Sequence, residues 1–152
     1  MPTSPLPNSS TAPFSAPIRV LCIDDSPDIT EMLGRCIERQ PDMESVGSLS
    51  SANNLRSALD KLRPDVVLLD ISMPGDDPLT ALRGLTDGDV KNRPALPIPV
   101  VRVIVFSGHS DKQSMDRAAD AGAWGYVSKD APIPVILDAI RSVARGNVTF
   151  ES

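Results

Sequence analysis

From Ile18 onward the chain alternates short, densely apolar runs with longer stretches in which apolar residues recur every three or four positions. The first run, Ile18–Ile23 (IRVLCI), reads as a strand, and Asp28–Gln40 follows with Ile29, Met32, Leu33, Cys36 and Ile37 at helical spacing. A weaker strand over Met43–Ser50 precedes a second helical stripe of Leu55, Ala58, Leu59 and Leu62, which Pro64 stops. Asp65–Asp70 (DVVLLD) is apolar at consecutive positions, so both faces of this third strand are expected to be covered, as in the middle of a parallel sheet. A short helix over Pro78–Leu85, a strand over Val100–Phe106, a helix over Lys112–Gly122, a strand over Ala123–Val127 and a last helix over Ile133–Gly146 complete the pattern. Strand and helix thus alternate five times, which predicts an α/β fold: a doubly wound, five-stranded parallel sheet with helices on both faces.

Two stretches break the alternation. Residues 1–17 hold five prolines and six serines or threonines without periodicity, and read as a disordered leader. Between the third helix and fourth strand, Thr86–Pro99 carries three prolines and mixed charge, and reads as a long loop. The expected organisation is a leader over 1–17, one domain over 18–146, and a tail or linker start over 147–152.

In a sheet of this kind ligands bind outside the carboxyl ends of the strands. Those ends carry Asp24 and Asp25 after strand one, Asp70 after strand three, Ser107 after strand four, and Ser128 and Lys129 after strand five. Crowded carboxylates repel one another unless a cation is present, and a hard, oxygen-preferring ion such as Mg²⁺ resolves the conflict. A carboxylate held there can attack phosphorus to give an aspartyl phosphate, with Lys129 and the metal offsetting charge and Ser107 donating a hydrogen bond. Taken singly, each residue has a plainer use: Asp25 or Ser26 capping a helix, Asp70 in a turn, Lys129 on a solvated surface. Their coincidence at successive strand ends favours a phosphoryl-acceptor site.

Composition narrows the alternatives. A formal charge of −5 offers no general attraction to nucleic acid or anionic lipid. No apolar run reaches the roughly 18 residues of a membrane span, and the N-terminus lacks a signal-type apolar core, so a cytoplasmic location is expected. Cys22 and Cys36, without CxxC spacing, read as buried thiols.

The segments LCIDDSP, VVLLDISMPG, VIVFSGH and GYVSKDA together resemble the receiver domain of bacterial two-component response regulators, over about Ile18–Gly146. The resemblance implies a flavodoxin-like sheet in the order 2-1-3-4-5 and phosphorylation of Asp70 by a sensor histidine kinase or phosphotransfer protein. It implies Mg²⁺ held by Asp24, Asp25, Asp70 and the backbone carbonyl of Ser72, with Lys129 assisting. Ser107 and Tyr126 are similar to the switch pair that reshapes the surface of helix four, strand five and helix five; the other reading of Tyr126 is a static amphipathic ring at the sheet edge. Ser72 and His109 flank the acceptor and are expected to tune phosphoryl lifetime, His109 by orienting water unless it is simply an exposed loop residue.

The sequence departs from the usual receiver in Asp77-Pro78, where a glycine commonly follows MPG, and in the proline-rich stretch 88–99. Its tail, DAIRSVARGNVTF, resembles the NarL/FixJ type, in which a DNA-binding helix-turn-helix domain follows. That favours a piece of a transcription regulator over a stand-alone receiver, with no nucleic acid or membrane bound by this domain itself. A homodimer through helices four and five is a further expectation. Two other functions compete. A haloacid-dehalogenase-like phosphatase would need a second aspartate two residues after Asp70, where Ser72 stands; a phosphorylation-independent interaction module would use the fold alone.

Overall fold

A computed structural model describes residues 16–73, 77–83, 101–108 and 111–150. The strands are β1 (Ile18–Ile23), β2 (Met43–Leu49), β3 (Val66–Asp70), β4 (Arg102–Ser107), β5 (Gly125–Ser128) and β6 (Thr149–Phe150). Helices α1 (Pro27–Glu38), α2 (Leu55–Leu62), α3 (Pro78–Arg83), α4 (Lys112–Asp120) and α5 (Ile133–Ala144) alternate with them. All neighbouring strands are parallel, in the order β2-β1-β3-β4-β5-β6. The expected doubly wound sheet is therefore present, with one short strand more than the sequence pattern announces.

Alternation along each strand divides the core in two. Val20, Cys22, Leu68, Ile104 and Phe106 pack beneath Leu33 and Ile37 of α1 and Ile136 and Ile140 of α5. Leu21, Ile23, Val67, Leu69, Val103 and Val105 face the opposite layer, where Leu55 and Leu59 of α2, Leu79 and Leu82 of α3 and Ala118 of α4 cover them. Every residue of β3 is buried because β3 lies between β1 and β4 and has a helical layer on each side. Cutting Leu68 or Leu69 back to alanine in such a setting costs about 2–5 kcal/mol, so the strand that ends in Asp70 is among the firmest parts of the domain.

Local chemistry sets the helix boundaries. Ser26 caps α1, its hydroxyl accepting the Ile29 N–H at 3.4 Å, and Pro27 occupies the first turn. Asp77 starts α3: its carboxylate accepts the Leu79 N–H at 3.1 Å and the Thr80 hydroxyl at 3.2 Å, and Pro78 follows. The Asp77-Pro78 departure is thus a helix-start signal.

Two expectations about burial need correction. On α1, Leu33 and Ile37 are buried, but Met32 is 42% exposed and Cys36 only half-buried. The helix turns a narrower stripe inward than the five-residue pattern suggested. The leader up to residue 15, the Gly88–Pro99 stretch and His109 lie outside the described residues.

Candidate functional site

The buried carboxylates stand where two central strands stop. Asp24 follows β1 and is 3% exposed; Asp70 closes β3 and is 1% exposed. Each has one oxygen committed to its own turn: Asp24 Oδ1 accepts the Ser26 N–H at 2.9 Å, and Asp70 Oδ1 accepts the Ser72 N–H at 2.8 Å. The other oxygens, both Oδ2, turn to Lys129, whose Nζ lies 2.7 Å from Asp24 and 3.1 Å from Asp70. The turn reading of Asp70 and the site reading are therefore compatible, one oxygen serving each. The capping role belongs to Ser26, which leaves the exposed Asp25 outside it.

Lys129 is placed by its backbone as well as its charge. Its N–H donates to the Ser107 carbonyl at 2.8 Å, extending the β4–β5 pairing past the strand end. Burial by itself would lower the ammonium pKa, but the hydrogen bonds it donates to Asp24 and Asp70, reinforced by their charges, outweigh it and hold the pKa above the usual lysine value. Nζ also lies 5.8 Å from the centre of the Phe106 ring, so the side chain crosses an aromatic surface on its way to the acids.

Asp24, Asp25 and Asp70 each offer a carboxylate oxygen, and the three atoms lie within 4.8 Å of one another. Oxygens sharing a Mg²⁺ at about 2.1 Å stand about 3–4 Å apart, so the cluster needs only a small contraction to share one ion. Asp24 Oδ2 is buried against Lys129 Nζ at 2.7 Å. An ionised carboxylate oxygen has a further lone pair that a hard cation can take beside that ammonium. The donor set fits Mg²⁺, with the Ser72 carbonyl at the adjoining turn as the further oxygen expected from sequence.

Ser107 is fully buried at the end of β4. Strand alternation puts it on the same sheet face as Val105, and Val105 is the register partner of Tyr126. Ser107 and Tyr126 thus share the face covered by α4. Tyr126 is 0% exposed and β6 lies outside its strand, so the ring is fully covered; Phe150 of β6 stacks against it with centroids 6.4 Å apart. Sequence reasoning missed Phe150, as it missed Phe106 beneath Lys129. Neither carries a local motif, and only the sheet register brings each to its partner.

The acid cluster and Lys129 stand outside the carboxyl ends of the strands, where sheets of this kind bind their ligands. The family model described as "Response regulator receiver domain" matches residues 20–141, and the chain belongs to that family. It is 30% identical over 129 residues to the transcriptional regulatory protein DegU of Brevibacillus brevis, covering 85% of this chain and 51% of DegU. It is 35% identical over 133 residues to the C4-dicarboxylate transport regulator DctD of Pseudomonas aeruginosa, covering 88% of this chain and 26% of DctD. The chain therefore spans about half the length of the first relative and a quarter of the second. Among solved structures, the receiver domain of the putative response regulator NarL from Mycobacterium tuberculosis superposes with a TM-score of 0.75 at 26% identity, covering 87% of this chain and 99% of that one. The response regulator domain of Thermotoga maritima CheB gives 0.71 at 27%, covering 86% and 98%. This is a two-component signalling domain of a family whose members interact with histidine kinases and other phosphodonors.

Proposed function

We propose that Asp70 accepts a phosphoryl group from a phosphohistidine of a sensor kinase or phosphotransfer protein. The observation that carries this is a nearly inaccessible carboxylate at the end of the most buried strand, 3.1 Å from a lysine and within 4.8 Å of two further acids. A carboxylate oxygen of Asp70 attacks phosphorus, the P–N bond to the donor histidine breaks, and that nitrogen keeps the electron pair. Asp24, Asp25, Asp70 and the Ser72 carbonyl hold Mg²⁺, which when bound supplies positive charge against the phosphoryl oxygens.

Lys129, bridged to Asp24 and Asp70, turns its ammonium from Asp70 toward the incoming group. The Ser107 hydroxyl donates to a phosphoryl oxygen, and Tyr126 moves toward the space it leaves, changing the surface made by α4, β5 and α5. Ser72 and His109 tune the lifetime of the acyl phosphate. Residues 18–146 form the receiver, 1–17 a leader, and 147–152 the start of a linker to a DNA-binding output domain, as the regulator names of the relatives suggest. The setting is cytoplasmic, the domain acts as a signalling module rather than an enzyme, and the switched surface supports a homodimer through α4 and α5.

Intact-mass spectrometry after acetyl phosphate treatment, with and without Mg²⁺, tests the assignment. One labile, metal-dependent phosphoryl group on the wild type and none on Asp70→Asn is the expected result. Equal uptake by both proteins would overturn Asp70 as the acceptor. No uptake from acetyl phosphate or a phosphorylated kinase would leave the phosphorylation-independent interaction module as the better reading.

A further inference from the structure

Residues 146–150 return from α5 to the sheet by a short, well-defined path. Gly146 takes φ +95°, a left-handed conformation that favours glycine, and its N–H donates to the Val143 carbonyl at 2.9 Å. Asn147 N–H then reaches Ser142 O at 3.1 Å, the Thr149 hydroxyl meets Ser142 Oγ at 3.0 Å, and Thr149 N–H bonds Trp124 O at 2.9 Å. Strand β6 thereby covers the outer edge of β5 over Gly125 and Tyr126.

The approach is close enough to require glycine at position 125. A Cβ there would stand 2.8 Å from the Thr149 carbonyl oxygen, inside any real contact distance, and 3.3 Å from Ile104 Cγ1. One residue on, Phe150 stacks on Tyr126 at an interplanar angle of 21°. Tyr126 therefore lies between β4, whose Ser107 end is on one side of it, and Phe150 on the other. Any displacement toward Ser107 carries the ring away from Phe150.

We propose that residues 147–150 act as a latch on the switched face: β6 holds the β5 edge while Phe150 is stacked on Tyr126, and movement of Tyr126 toward Ser107 releases it. The inference rests on Ser107 and Tyr126 being the switch pair. Release would free the β5 edge between α4 and α5 and alter the path of the chain after Phe150. Linkage makes the effect reciprocal, since a weaker latch must favour the phosphorylated conformation by the same factor.

Amide hydrogen exchange at Thr149, read by NMR in the whole chain, tests the latch. Phosphorylation confirmed by intact mass should speed that exchange at least about tenfold while Val67–Leu69 stay protected. Phe150→Ala should do the same without phosphate and should tighten binding of beryllofluoride, a phosphoryl mimic, by roughly threefold to tenfold, the range expected for loss of one aromatic stack. Gly125→Ala should displace β6 by a route that spares both rings, which guards against a folding defect in one variant. A protein phosphorylated by mass whose Thr149 exchange is unchanged would overturn the latch while the acceptor assignment stands. A protein that takes no phosphoryl group overturns that assignment and the release step together.

Discussion

Replacing Lys129 by methionine keeps an unbranched apolar stem and removes only the ammonium that bridges Asp24 and Asp70. At an effective dielectric of about 20, its contacts at 2.7 and 3.1 Å amount to gross attractions of about 6 and 5 kcal/mol. Desolvating the ammonium offsets much of this, though the side chain keeps 20% of its exposure and so part of its hydration. Once the cation is gone, two buried acids up to 4.8 Å apart repel by about 3.5 kcal/mol on the same scale. Removing one partner from a buried ion pair typically costs 3–5 kcal/mol, and partial exposure places this site near about 3 kcal/mol.

Urea unfolding in chelator should therefore show Lys129→Met with a midpoint lower by roughly 1–2 M at an ordinary slope. Saturating Mg²⁺ should narrow that gap, because the ion supplies charge to the same oxygens. Asp70→Asn in the Lys129→Met background should recover part of the loss, since one of the unpaired acids has become neutral. If the variant matches the wild type in chelator, or its loss is identical with and without Mg²⁺, then Lys129 does not hold this acid cluster together and the electrostatic account fails.

Cys22 and Cys36 should separate on alkylation at pH 8. Burial, with a smaller contribution from the charge of Asp24, pushes the Cys22 pKa from 9.0 to about 12, which cuts its thiolate fraction roughly a thousandfold even before access is considered. Peptide mapping should find Cys36 modified first; a Cys22 rate within tenfold of Cys36 in folded protein would contradict this. By the same shift the Cys22 contribution to stability is constant below about pH 9 and declines as pH rises toward 12, because the unfolded thiol ionises first. At the other extreme, Arg141 of α5 forks onto Asp42 at 2.7 and 3.2 Å and holds its carboxyl below the usual 3.8. Arg141→Gln should cost about 1 kcal/mol, the upper end for an exposed pair. Because the folded pKa is depressed, that difference is present above about pH 4 and is lost as pH falls through the folded value; urea unfolding in steps downward from pH 7 should show the gap constant to about pH 4 and shrinking below it.

Most of the sheet was legible because β1, β3 and β4 are dense in apolar residues, and Asp24, Asp70 and Ser107 follow from where those runs stop. Helix positions were legible from period, but some of their edges moved by one or two residues. At α3 the predicted start, Pro78, is the observed one, and Asp77, noted in the sequence only as a departure from the usual pattern, is the group that holds it, accepting the Leu79 N–H. What could not be read was anything set by register between distant strands. Phe150 sits in a tail with no apolar period, and β6 is two residues long, too short to produce alternation. Its place on Tyr126 follows from the turn at Gly146 and the space left by Gly125, which single-chain periodicity does not encode.

The two layers of the core hold the acids and the proposed switch pair with unequal firmness. Asp24 and Asp70 follow strands whose alternation ties Val20, Cys22 and Leu68 to α1 and α5, and their turns are locked by the Ser26 and Ser72 N–H groups. Ser107 and Tyr126 belong to the opposite face, whose covering helix over β4 and β5 is α4, with Ala118 as its one buried residue. A small alanine contact surrenders far less energy on shifting than the leucine and isoleucine contacts of α1 and α5. The acids are thus fixed by the heavier layer and the proposed switch pair lies under the lighter one. Charge placed on Asp70 would move what is cheapest to move, and that is the β5 edge where Tyr126 and Phe150 meet.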